Sequence, residues 1–225
     1  MAWTTYESPL GPLTLMGGRA GLRHVYFPGR SPSLAPSDRD PSALAEAIGQ
    51  LEQYFAGERQ AFELELDLAG TTFRHRVWRA MQQVPYGCTT TYGALARELD
   101  ITDSGILVTG SGAVSGAQKV AWASAATPTP IVVPCHRVIA ADGSLTGYLG
   151  GLNRKQALLD FEAAGGAPDV LRHRDSQQLA LLLHGALPLS RASERRTYTR
   201  ISSRVRPLRT ERGRSATMSE PGRAC

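Results

Sequence analysis

Apolar residues recur with helix or strand spacing through roughly the first 166 residues of this 225-residue chain, and then the pattern stops. From Ser190 onward the sequence is Arg, Ser and Thr with almost no apolar recurrence. Such a segment cannot bury enough surface to offset the entropy of ordering it. An apolar stretch at 179–189 is broken by Gly185 and Pro188. The folded part must therefore be built from residues before about 167, and 167–225 is expected to be a basic, disordered tail. Charge follows the same break. Residues 1–168 carry 13 Lys and Arg against 15 Asp and Glu, a net of −2, whereas 169–225 carry 12 Arg against 5 acids, a net of +7. The pI near 9.4 is thus a property of the tail and says little about what the body binds. The tail reads as a plain appendage, as one foreign to the domain, or as a basic arm for phosphate backbones.

The same composition excludes several classes. No apolar run approaches the roughly 20 residues of a membrane-spanning helix. The opening ten residues lack the basic stretch and apolar core of a secretory leader. Three cysteines, Cys88, Cys135 and Cys225, form no disulfide framework and have no zinc-ligand spacing, and His24 and His75 have no ligand-like companions. Neither a metal nor another cofactor is expected. A reduced, cytoplasmic setting follows, with Cys88 read as an unreactive turn residue and Cys225 as an exposed one.

Within the body, β-prone runs at 3–7, 13–16 and 22–27, separated by Pro9-Leu10-Gly11-Pro12 and Gly17-Gly18, predict a three-stranded meander. Leu44, Ile48, Leu51, Tyr54 and Phe55 give helical spacing over 41–55. Residues 62–68 alternate apolar with acidic, as a half-exposed strand does. Phe73, Val77, Trp78, Met81 and Val84 mark a helix over 73–84, stopped by Pro85-Tyr86-Gly87. A second helix is expected over 91–99, capped by Thr89 or Thr90, so that two short helices joined by a tight turn suggest a helix-turn-helix. Residues 105–116 read as a Gly- and Ser-rich loop, 117–126 as a third helix, 131–133 as a buried run and 154–164 as the last helix. Trp122 on the third helix is either core or an unusual surface contact. The expectation is an α+β chain: an N-terminal α/β domain over 1–70, a mostly helical domain over 71–166, then the tail.

The chemistry sits in Pro134-Cys135-His136-Arg137-Val138. A free thiol is only about 3% thiolate at pH 7, so a nucleophilic Cys needs a base, a positive charge or a helix N-terminus beside it. His136 and Arg137 are adjacent in sequence, but adjacency alone does not establish contact. The wider segment Ile131-Val132-Val133-Pro134-Cys135-His136-Arg137-Val138-Ile139 resembles the active-site signature of the O6-alkylguanine-DNA alkyltransferases, the methylated-DNA–protein-cysteine methyltransferases. The likeness continues through Asp142-Gly143-Ser144-Leu145-Thr146-Gly147-Tyr148, Gly150-Gly151-Leu152, Arg154-Lys155 and Leu158-Leu159-Asp160-Phe161-Glu162. Upstream, Phe73-Arg74-His75-Arg76-Val77-Trp78, Val84-Pro85-Tyr86-Gly87 and Thr91-Tyr92-Gly93-Ala94-Leu95-Ala96 also fit. Ser8-Pro9-Leu10-Gly11 and Tyr54-Phe55-Ala56-Gly57 resemble the N-terminal, ribonuclease-H-like domain of bacterial members.

The resemblance implies a winged-helix, helix-turn-helix active domain and a DNA-repair protein that moves an alkyl group once, from guanine O6 to its own Cys135, with O4 of thymine as a second target. His136 would take the thiol proton through a water and Glu162 would orient the imidazole. Tyr92 would donate a proton toward the flipped base, while the Val138 main chain, Tyr148, Gly150 and Gly151 line its pocket. Arg137, Gln118, Lys119 and Thr127 fall at positions implied to contact substrate or DNA. The partner implied is double-stranded DNA carrying O6-alkylguanine, engaged through the minor groove by a monomer, with the target base leaving the stack.

Three features depart from the family pattern. Gln118 stands where the family has the Arg that fills the gap left by the flipped base, with Lys119 facing another side of the helix. Thr127-Pro128 replaces an Asn-Pro hinge, and 100–116 holds about a dozen extra residues, an insertion that loops tolerate at modest entropic cost. Intact thiol chemistry with weakened DNA engagement is the expectation. The alternatives are a lesion binder or degenerate homologue, and a Cys-His hydrolase of small substrates.

Overall fold

Turn chemistry sets the first three strands. Ser8 closes the first turn, its hydroxyl donating to the Gly11 carbonyl at 2.6 Å, and Gly11 adopts φ 93°, where a side chain would be strained. Strands β1 (Ala2–Ser8), β2 (Gly11–Gly18) and β3 (Gly21–Tyr26) make the antiparallel meander the sequence predicts. Alternate residues Leu13 and Leu15 of β2 are buried, as are Leu22 and Val25 of β3, three apart because a bulge shifts the register between them. A 3-10 turn (Ser42–Leu44) leads into α1 (Ala45–Phe55), which lays Leu51, Tyr54 and Phe55 onto that apolar face. This structure is a computed structural model and describes residues 1–102, 104–107, 113–171 and 223–224.

The segment 62–68 is not the expected strand. Its alternation of half-buried Phe62, Leu64 and Leu66 with acids holds, but it joins the sheet through one parallel bridge, Leu22 to Leu66. Only Leu22 exchanges backbone hydrogen bonds with it, donating to Glu65 at 2.8 Å and accepting from Asp67 at 3.0 Å. A Cβ on Gly21 would lie 2.2 Å from the Glu65 carbonyl oxygen, so this glycine permits the close crossing.

Among the described residues beyond 70, the main helices are α2 (Thr72–Gln82), α3 (Tyr92–Glu98), α4 (Gly116–Ala125) and α5 (Leu152–Ala163). Thr71 caps α2 and Thr91 caps α3, each side chain accepting from the backbone NH three residues on. The α3 cap is therefore not Thr89 or Thr90. Those two lie in β4 (Thr89–Thr91), which sits between Arg223–Ala224, antiparallel, and Val138–Ile139, parallel. The tight-turn pairing of α2 with α3 is also corrected: α3 packs chiefly on α4, and the Trp78 indole of α2 donates to the Ala123 carbonyl of α4 at 2.9 Å. Backbone strands β5 (Ser104–Leu107) and β6 (Ala113–Val114) form a hairpin where a loop was expected. The rest of that insertion, 103 and 108–112, and tail residues 172–222 and 225, with Cys225 read as exposed, lie outside the described residues.

Two apolar cores result. The first joins the sheet and α1 to Leu158 and Phe161 of α5, and includes Leu171 from the segment read as tail. The second joins α2, α3 and α4. The run 131–138 threads between them: Ile131 and Val132 belong to the first, Val133, Cys135 and Val138 to the second. Ile131 takes φ 77° while almost fully buried, a conformation costing roughly 1–3 kcal/mol for a β-branched residue and tolerated only where packing dictates it.

Candidate active site

Cys135 opens a 3-10 turn, Cys135–Arg137, between Pro134 and strand Val138–Ile139. The tight turn swings three consecutive side chains into the protein, and Cys135, His136 and Arg137 are all buried. Opposite them lies α5. Lys155 and Glu162 are seven residues apart, two helical turns, and so share one face of that helix.

Glu162 is the hub. Its Oε1 accepts from His136 Nε2 at 2.9 Å, Arg137 Nη2 at 2.9 Å and the Tyr54 hydroxyl at 2.7 Å. Its Oε2 accepts from Arg137 Nε at 2.9 Å and the Gly87 backbone NH at 3.2 Å. Burial works against the Glu162 charge, but His136 and Arg137 outweigh it and hold the carboxyl well below the usual carboxylate range. An ionised carboxylate only accepts, so the His136 proton must sit on Nε2. That leaves Nδ1 with its lone pair, buried and without a hydrogen-bond partner among the described residues. Burial also pushes the His136 pKa down, so the ring is a neutral base with its free nitrogen available.

The thiol needs such a base. Burial raises the Cys135 pKa to about 11, opposed first by the charge of Lys155 and then by a hydrogen bond with the Thr127 hydroxyl. Lys155 is itself fully buried. Its Nζ donates to the Val138 carbonyl at 2.6 Å and the Thr146 carbonyl at 3.0 Å, tying the loop after Cys135 to α5. Burial lowers its pKa to about 8, so it keeps a proton at neutral pH. Tyr92, at the start of α3, meets the same loop, its hydroxyl 3.4 Å from both the Thr146 carbonyl and hydroxyl. The Tyr148 hydroxyl is buried with no partner among the described residues, and burial raises the pKa values of both phenols, so they remain proton donors.

The expected residues do not all converge. Cys135, His136, Glu162, Tyr92, Val138 and Tyr148 form one site. Gly150 packs under the Phe27 ring, where a Cβ would lie 2.7 Å from the aromatic carbons, and Gly151 supplies φ 84° at the N-cap of α5; both shape the loop. Arg137 is not a surface contact: all its bonds go inward, including Nη1 to the Val84 carbonyl at 2.7 Å, because it neutralises Glu162. Thr127 is buried beside the thiol, with its hydroxyl 2.7 Å from the Ser124 carbonyl and within hydrogen-bond reach of Cys135, so it faces the nucleophile.

Gln118 and Lys119 are likewise occupied. The Gln118 side chain accepts from the Ser115 backbone NH at 2.9 Å while Ser115 accepts from the Gln118 NH, a capping box that starts α4. Lys119 Nζ donates to the Thr102 carbonyl at 2.7 Å. Trp122, for which core was one reading, is 58% exposed, four residues after Gln118 and on the same helix face. Cys88, read as an unreactive turn thiol, is disulfide-bonded, leaving Cys135 the one free cysteine among the described residues. No group of three or more His, Cys, Asp or Glu among the described residues is placed to hold a metal.

Sequence reasoning gave no role to Tyr54, Lys155 or Gly87. Lys155 was findable, because a lysine two turns before Glu162 falls on the inward face of α5. Tyr54 lies 108 positions from its partner, and nothing local signals that contact.

A fold that sets a buried thiol next in the chain to an imidazole bonded to an ionised carboxylate, beside a helical pair, defines a class: proteins that use a base-activated cysteine as nucleophile. Within it, residues 72–164 match the 6-O-methylguanine DNA methyltransferase DNA-binding domain and residues 1–68 the ribonuclease-like domain of the same proteins. The chain is 42% identical over 170 residues to a methylated-DNA–protein-cysteine methyltransferase of Mycobacterium bovis, covering 75% of this chain and 96% of the relative. It is 38% identical to one of Methanosarcina acetivorans, covering 73% and 99%. Among solved structures, Mycobacterium tuberculosis OGT in complex with DNA superposes with a TM-score of 0.64 at 41% identity, covering 76% of this chain and 99% of that one. The chain belongs to the 6-O-methylguanine DNA methyltransferase family.

Proposed function

We propose that this protein repairs DNA by taking the alkyl group from O6 of guanine onto Cys135, once and irreversibly. The observation that carries the reading is that His136, the residue after Cys135, commits Nε2 of its imidazole to Glu162 and leaves Nδ1 unpartnered among the described residues. His136 takes the thiol proton through a water as the sulfur attacks the alkyl carbon. The new S–C bond forms as the C–O6 bond breaks, and O6 becomes the carbonyl oxygen of guanine. In net, the thiol proton is the one the departing base gains at its ring nitrogen. Tyr92 and Tyr148, kept protonated by burial, supply donors on the side from which the base leaves. The thioether has no route back, so each molecule acts a single time and no cofactor enters.

The target base reaches a buried thiol only by leaving the duplex, which costs a few kcal/mol and less for a damaged pair. We take the partner to be double-stranded DNA, the protein to act as a monomer, and the setting to be the cytoplasm. Among the described residues no helix is long and apolar enough to cross a membrane. The exposed stripe Gln118, Trp122 and Ala125 on α4 lies on the surface that would meet a groove.

The test is a single-turnover assay with duplex DNA carrying labelled O6-methylguanine. Stoichiometric label on Cys135, lost in Cys135→Ala, is expected. Continued turnover would instead identify a Cys-His hydrolase. Labelling by free O6-benzylguanine with none from DNA would leave the thiol chemistry standing and place the defect in DNA engagement.

A further inference from the structure

The three donors on Glu162 Oε1 come from three parts of the chain: His136 and Arg137 from the active-site turn, and Tyr54 from α1 of the N-terminal unit. Tyr54 is fully buried and its ring is held on several sides, by Phe55 at 5.2 Å, Phe62 at 5.3 Å, Phe161 at 5.5 Å and Tyr86 at 6.0 Å between centroids. Its hydroxyl has a fixed direction, and at 2.7 Å it makes the shortest of the five hydrogen bonds on Glu162. A carboxylate oxygen that already receives Tyr54 and Arg137 has limited acceptor capacity left for the imidazole.

We propose that Tyr54 is a positioning residue for alkyl transfer: its phenol, acting through Glu162, fixes the orientation of His136 and limits how strongly the carboxylate holds a proton on the ring. The N-terminal unit is then a working part of the active site. This rests on the reading above that His136 serves as the base for Cys135. Without the Tyr54 donor, the negative charge on Oε1 is less dispersed and attracts an imidazolium more strongly. His136 then stays protonated to higher pH, which removes the neutral base that the thiol requires.

The groups facing His136 are Glu162 and Lys155 from α5, Arg137 and Cys135 from its own turn, and Tyr54, through the carboxylate, from α1. Of these, the variant Tyr54→Phe alters one alone. It keeps the ring in its aromatic setting and deletes only the donor.

The experiment is a nitrogen-15 NMR titration of the His136 ring in the full chain, wild type against Tyr54→Phe, paired with the pH profile of O6-benzylguanine transfer to Cys135. Phe62→Leu serves as the packing control, since Phe62 touches the Tyr54 ring but not the carboxylate. In Tyr54→Phe, the His136 protonation equilibrium should move toward the charged form by about threefold to tenfold, the span of the net worth of one ordinary hydrogen bond. The acid limb of transfer should move to higher pH with it. Phe62→Leu should lower thermal stability and leave both readouts in place.

An unmoved His136 titration in Tyr54→Phe would overturn the proposal. So would a uniform fall in rate with the limbs in place, or an equal shift in Phe62→Leu, because each marks packing alone. The ring titration does not depend on alkyl transfer. A wild type that fails to take the benzyl group while its His136 responds to Tyr54→Phe would therefore count against the function and not against this role of Tyr54.

Discussion

Lys155 shows what a single side chain can carry here. A buried ammonium is costly unless its protons are used, and Lys155 places them on the Val138 and Thr146 carbonyls while its charge favours the Cys135 thiolate. With its pKa near 8, the charge is present below that pH and is lost as pH rises through it, so its help to the thiolate is greatest in the neutral range. Lys155→Gln should therefore slow alkylation of Cys135 at pH 7 by about tenfold and raise the apparent thiol pKa. Mass-spectrometric labelling with iodoacetamide across pH 6–10 would show it. Coincident wild-type and variant curves would mean that the lysine serves only to hold the loop. Arg137 teaches the complementary lesson: a cation in the active-site motif can be entirely consumed by neutralising a buried carboxylate.

At the scale of elements, α4 departs most from what its family resemblance implies. Its N-terminus is closed by the reciprocal Ser115 and Gln118 bonds, so the residue at the position of the family's arginine is spent on starting the helix. Gln118→Arg should cost about 0.5–1 kcal/mol of stability through loss of half the capping box, and should tighten binding to lesion-bearing duplex by about fivefold or more. Thermal melts and fluorescence anisotropy read the two effects separately. Unchanged affinity would mean that α4 does not enter a groove in the way the resemblance implies. Trp122 on the same face adds the one exposed aromatic among the described residues of α4, and its emission reports whether that face meets DNA.

The whole molecule depends on how the two cores meet. Besides Tyr54 on Glu162, the ends of α1 and α5 touch: a Cβ on Gly57, at φ 79°, would lie 2.3 Å from the Gly166 carbonyl oxygen. Backbone cannot yield there as a flexible side chain would. Gly57→Ala should lower stability by about 2 kcal/mol or more, combining strain at positive φ with the clash. It should also slow transfer to Cys135, since displacing α1 moves Tyr54. Differential scanning calorimetry and the transfer assay together check this; a large stability loss with an unchanged rate would show that the junction is structural only.

Much of the fold was legible because local rules agree with the final packing. Turn residues and alternation placed the meander, and helical spacing placed α1, α2, α4 and α5 to within a few residues. The segment 62–68 was misread because alternation reports which side of an extended chain is buried, not whether a full ladder forms beside it. The cap of α3 was misplaced by one or two residues because three consecutive threonines offer the same side chain. Cys135, His136, Glu162 and Tyr92 were legible through the resemblance of their surrounding motifs. The sequence by itself determined the meander, most of the helices and, through the motifs they resemble, the family, because these depend on residue type and short spacing. Only the tertiary structure decided where the protons and charges go. It sent Arg137 inward, tied Gln118 to Ser115, set Lys155 against the loop and brought Tyr54 to Glu162. Those outcomes depend on burial and on contacts between residues far apart in the chain, which no local pattern encodes.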